Sequence, residues 1–180
     1  PENIEFLYQR LITTFDIEGF DNPIFSVRDD FLFVQMRPWE ENDYTYLVIY
    51  SFEDTENPRL ISHLEREEGD ARSGTTIVFH GNYVFSVMSR NDEHRRWEIE
   101  AFDISDPANP ESIGIVGENL ATKLFCAHND MIIGCDSGRG DWIEIKILNG
   151  ENVEQLDEIS RFEQRYGRCN KLASFRQYLY

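Results

Sequence analysis

Residues 96–114, RWEIEAFDISDPANPESIG, decide how this chain folds. Trp97, Ile99 and Ala101 alternate with polar residues, and after a register step Phe102 and Ile104 extend the apolar run. That mixture of alternation and continuous apolar residues suits a strand packed on both faces. Asp103-Ile104-Ser105-Asp106 then offers side chains that bond nearby backbone N–H groups and favour a turn. Pro107 and Pro110 each lack a backbone donor and fix φ, so no central strand runs through them. Ile113, Ile115 and Val116 open the next strand, and the stretch reads as strand, tight turn, strand.

Imperfect copies lie on both sides. Upstream, Leu47-Val48-Ile49-Tyr50 leads into SFEDTENP (51–58) and then Leu60-Ile61. Asp54 matches Asp106, and Asn57-Pro58 matches Asn109-Pro110. Downstream, Trp142 to Ile147 leads into Leu148-Asn149-Gly150-Glu151-Asn152, with Asn149-Gly150 at the Asp-Pro turn position. Pro1-Glu2-Asn3-Ile4-Glu5 is a fourth trace. The landmark residues Asn3, Asn57, Asn109 and Asn152 recur at 54, 52 and 43 residues. A hairpin precedes each copy, and its landmarks Phe31, Tyr83, Met131 and Tyr178 recur at 52, 48 and 47 residues. Two independent landmarks with periods in the forties to fifties, and about four strands per period, are the signature of β-propeller blades. The expected fold is therefore all-β and propeller-like, in a single domain. Three complete four-stranded antiparallel blades span about 24–65, 75–117 and 122–161, with partial blades at 1–14 and 169–180. Residues 16–23, 67–74 and 162–168 read as loops or polar connections, and Ile4 to Ile12 as a leftover outer strand.

FDISDPANPESIG and YSFEDTENPRLIS resemble the LVIVD-type propeller repeat, an apolar strand followed by D-x-S-D-P-x-x-P and a further apolar strand. The resemblance extends over nearly the whole chain and implies the blade architecture; it implies no particular activity. The chain departs from the pattern where Thr55 replaces the first proline, and in the last unit, which lacks both. Repeats of the Trp-Asp type fit less well, since no Trp-Asp pair closes the third strand.

The chain has 180 residues and a net charge of −17, with only three lysines among its 17 cations. Such a field repels nucleic-acid phosphates and anionic membranes and suits basic partners. No apolar run approaches the roughly 18 residues of a membrane-spanning helix. Three cysteines, Cys126, Cys135 and Cys169, are an odd number, which favours a reducing compartment such as the cytoplasm, although the resemblance also allows export.

No Ser-His-Asp order, phosphate-binding loop or zinc-protease motif occurs, so no catalytic residue, cofactor or metal ligand is assigned. Cys126, His128 and Cys135 lie on one expected hairpin, but their spacing is not that of a zinc site and a fourth ligand is missing. Asp54, Asn57, Asp103 and Asp106 could present oxygens to calcium, yet turns of this kind satisfy their own backbone. The expected partner-binding residues are Trp39, Glu40, Glu41 and Asp43 in one loop between second and third strands, and Arg139 and Asp141 in another. An aromatic among carboxylates suits a basic peptide, and insertions in repeat proteins gather on one face, often the binding face. The expected role is a non-catalytic scaffold that binds a protein or peptide through its loops. Two alternatives are an enzyme with a site at the channel mouth and a half-propeller that closes by dimerisation. The chain begins and stops within a repeat, which suggests an excerpt of a longer propeller or closure against a second copy.

Overall fold

A computed structural model describes residues 20–38, 46–54, 57–65, 71–72, 76–90, 97–118, 120, 123–136, 142–165, 174–175 and 178–179. Among them every element is a strand and every pairing is antiparallel. The first sheet holds β1 (Phe20–Arg28), β2 (Phe31–Pro38), β3 (Tyr46–Ser51) and β4 (Arg59–Glu65), in that order. The second holds β5 (Ala71–Arg72), β6 (Ile77–His80), β7 (Tyr83–Arg90), β8 (Trp97–Asp103) and β9 (Glu111–Glu118), with β5 and β6 both paired to β7. The third holds β10 (Lys123–His128), β11 (Met131–Asp136), β12 (Trp142–Asn149) and β13 (Asp157–Arg165). β14 (Ser174–Phe175) and β15 (Tyr178–Leu179) form a two-stranded piece. The partial unit expected at 1–14 lies outside the described residues.

Three boundaries differ from the sequence reading. β1 starts at Phe20, inside the segment read as a loop, and its pairing shifts between Asp21 and Ile24. Pro23 falls within that irregularity, where a missing N–H costs no ladder bond. Ala71 and Arg72 pair with Arg90 and Ser89, so the polar connection contains a short strand that extends the line of β6. β13 runs on to Arg165 because Trp142 to Glu144 give Glu163 to Arg165 a pairing edge despite their charge.

Each sheet alternates its side chains between two neighbours. Phe33, Leu47 and Ile49 of the first sheet pack against Ile77, Val84 and Phe102 of the second. Phe85, Val87, Ile99 and Ala101, on the other face of the second sheet, pack against Ile132 and Leu148 of the third. Val84 pairs with Phe102 and Phe85 with Ala101, so adjacent rows of one sheet face opposite neighbours. Between sheets, backbones approach most closely at the first strands, β1 to β6, β6 to β10 and β10 to β14. At that inner edge Phe33 and Phe79 meet edge-to-face at 4.8 Å, and the Arg28 guanidinium lies 5.7 Å over the Phe79 ring while donating to Gly81 O.

The turns repeat more faithfully than the sequence does. Asp29, Gly81 and Asn129 open the first hairpin of each unit at φ of 52°, 56° and 50°. Asp and Asn are the non-glycine residues that tolerate this left-handed conformation best. The N–H groups of Phe52, Ile104 and Gly150 then donate to Asp30, Asn82 and Asp130 O at 2.7, 2.8 and 2.7 Å. Each bond joins the first hairpin to the end of the third strand. A further bond closes each following turn, from Asn57 to Asp54, Asn109 to Asp106 and Gln155 to Asn152. These equivalences correct the sequence alignment in the last unit. Asn152 stands at the place of Asp106 rather than Asn109, and Asn149-Gly150 at the place of Asp103-Ile104.

Leu156 consequently occupies the place of Pro110. Its N–H, which proline lacks, donates to Val116 O of the preceding sheet at 2.7 Å. Ser62 makes the corresponding link one unit earlier, its Oγ donating to Pro107 O at 2.8 Å. Leu156→Pro, although it restores the motif residue, should therefore cost about 1–3 kcal/mol by leaving the Val116 carbonyl without its donor; urea unfolding of both forms measures it.

Candidate interaction surfaces

The two ends of the stack differ in kind. At one end lie the turns just described, and their polar atoms are engaged. Asp103 Oδ1 accepts from the Ser105 N–H at 2.8 Å. Asp106 Oδ1 accepts from the Ala108 N–H at 3.0 Å, and Oδ2 from the Asn109 amide at 2.8 Å. The Asn109 side chain foremost, then the Ala108 N–H, hold the Asp106 carboxyl below the usual carboxylate range. Asp54 binds Asn57 in the same way, at 3.2 and 2.9 Å. The oxygens considered for calcium thus bind their own turns. Among the described residues no three His, Cys, Asp or Glu side chains are grouped to hold a metal.

At the opposite end, β2 leads from Pro38 to Tyr46 of β3, β7 from Arg90 to Trp97 of β8, and β11 from Asp136 to Trp142 of β12. The expected binding residues Trp39, Glu40, Glu41, Asp43, Arg139 and Asp141 belong to two of these three connections and lie outside the described residues.

Between the sheets are polar groups that the sequence reading passed over. On the third strand, Val48, Glu100 and Lys146 occupy one repeat position, and all three are buried. Glu98 and Glu100 share the face of the second sheet turned towards the first, with Ser86 directly across from Glu100. Ser112 Oγ donates to Glu100 Oε1 at 2.9 Å. In the next interface Lys146 Nζ lies 3.5 Å from Glu144 and 4.0 Å from Glu158. Arg161 grips Glu158 through two bonds of 2.6 and 3.0 Å. Alternating charges on three residues of one strand pair leave the buried ammonium compensated. Glu98 and Glu100 look like solvent-facing members of an alternating strand. They are buried because this sheet is covered on both sides, which alternation alone does not reveal.

The outermost faces are apolar. The face of the first sheet turned away from the second buries Leu32, Val34, Val48 and Tyr50. Burial pushes the Tyr50 phenol up to about 12. The far face of the third sheet buries Cys135 and Ile143, with Ile145 packed beside them. Cys135 is disulfide-bonded. Its sulfur is therefore not a thiolate ligand, and the hairpin metal site considered with Cys126 and His128 is removed from contention.

No family model, curated protein or solved structure matches this chain.

Two outcomes are expected. Lys146→Met should hold stability within about 1 kcal/mol, whereas Lys146→Glu should lose about 3 kcal/mol or more by placing a third carboxylate in the buried cluster; equilibrium unfolding separates them. Alkylation of the denatured, unreduced chain should label one of its three cysteines, rising to three after reduction, as read by intact mass.

Proposed function

We propose that the chain is a run of β-propeller blades serving as a non-catalytic scaffold, which binds a protein or peptide through the loops between second and third strands. The observation that carries this reading is the contrast between the two ends. The turn end repeats the same backbone bonds in every described unit. The connections at the other end, 39–45, 91–96 and 137–141, differ in length and share no motif. A scaffold that holds one end constant and varies the other separates folding from recognition. The blade assignment draws support from sheets that follow one another in chain order, approach at their first strands, and set each turn on the outer strand of the sheet before. The LVIVD-type resemblance is consistent with it.

The acidic charge favours a basic partner over nucleic acid. Among the described residues no helix is long and apolar enough to cross a membrane. The disulfide at Cys135 favours an oxidising compartment over the cytoplasmic one that the odd cysteine count suggests.

The test compares proteins retained from a native extract by the parent chain and by the Trp39→Ala/Arg139→Ala double variant, with quantitative mass spectrometry. Selective loss of one or a few proteins, at unchanged thermal midpoint, is the expected result. Identical retention by both chains would overturn the loop assignment.

A further inference from the structure

Large exposed apolar side chains among the described residues number five, and all sit at the two ends of the stack of sheets. Phe25, Val27 and Leu60 are 36, 68 and 49% exposed on the first sheet, and Ile159 and Phe162 are 57 and 58% exposed on β13. The middle sheet has none. The repeat explains the pattern. Every outer strand carries an isoleucine where its pairing shifts, Ile61, Ile113 and Ile159. In the register of β4 and β13, Leu64 stands opposite Leu47 and Phe162 opposite Ile145, which are equivalent positions.

Within the chain these outer-strand residues receive the turn of the next unit. Leu64 packs with Phe102 and Ile104, while Ser62 binds Pro107 O. Ile113 and Val116 pack with Val153 and Leu156, whose N–H binds Val116 O. On β13 the same seat is open: Ile159 and Phe162 are exposed, and Ser160 occupies the register position of Ser62. At the other end the first unit presents the matching insert. Phe52 and Pro58 stand where Ile104 and Pro110 do, and Leu60 lies beside them. β14 leaves the seat clear, since it lies against β10, the opposite edge of the third sheet from β13.

We infer that this chain associates head to tail with a second copy, the 52–58 turn and Leu60 of one chain seating on Ile159 and Phe162 of the other. The occupant follows from continuity with the two internal joints, because one chain displays both halves of the same contact, each apolar and each exposed. Such a contact is heterologous, so it either closes a ring or extends. The inference rests on the blade reading of the sheets and not on the loop reading. The loops are untouched in its test, so either can fail alone.

Native mass spectrometry and light scattering of the parent chain over a concentration series should show assemblies of at least two 21.2 kDa chains. Phe162→Glu and Leu60→Glu should each weaken association at least tenfold, with unchanged far-ultraviolet circular dichroism. Mixing the two variants should restore a heterodimer, because one intact seat and one intact insert remain. A parent chain that stays monomeric overturns the inference, as does association unaffected by either variant, or variants that fail to complement each other. If a variant loses its native dichroism, Phe162→Ser or Leu60→Ser takes its place under the same criteria.

Discussion

One backbone hydrogen bond, made three times, fixes the geometry on which the rest depends. It runs from Phe52, Ile104 and Gly150 to Asp30, Asn82 and Asp130. Each joins two hairpins of one unit, so the first strand cannot slide relative to the third. With that register set, odd and even positions along the second strand are committed to opposite neighbours. Phe33 and Phe85 then face the following sheet, and Val84 and Ile132 the preceding one. A slip of one residue would exchange the two faces. The left-handed residue at 29, 81 or 129 tightens the hairpin that supplies the accepting carbonyl.

The joints between sheets are alike in geometry and different in chemistry. The first encloses Glu98 and Glu100, the second Lys146 with Glu144 and Glu158, while the equivalent position on the outermost face of the first sheet is Val48. Buried charges add little net stability when well compensated, and misplacing one is costly. Sheets that share a backbone plan could stack in any order; the distinct charges make each joint specific for its own neighbour. The apolar outermost face carries no such discrimination.

Much of this architecture is legible in the sequence because turn chemistry is local. The Asp-Ser-Asp-Pro stretch at 103–107 and its copies mark where strands must stop, and alternation does the rest. The alignment slips in the last unit, where Asn152 attracts the eye as an asparagine yet acts as Asp106 does. Both side chains accept from an N–H two residues on, a role that composition does not distinguish. Ala71-Arg72 and the end of β13 are illegible for another reason: their polar residues are strand only because a neighbouring strand supplies an edge. The buried Glu100 and Lys146 depend on a sheet being covered twice, a property of the stack rather than of the segment. The loop residues from Trp39 to Asp43 and around Arg139 rest on sequence alone.

The middle sheet has a neighbour on each side, and Val84, Phe85, Val87, Ile99 and Ala101 are all fully buried. The first and third sheets share only one such joint each with it. In a linear array whose units are stabilised by their neighbours, openings begin at the ends and travel inwards. Amide protons of β7 and β8 are thus the slowest to exchange with solvent, and the protection gradient along the chain rises and falls once, centred on the repeat whose sequence is most regular.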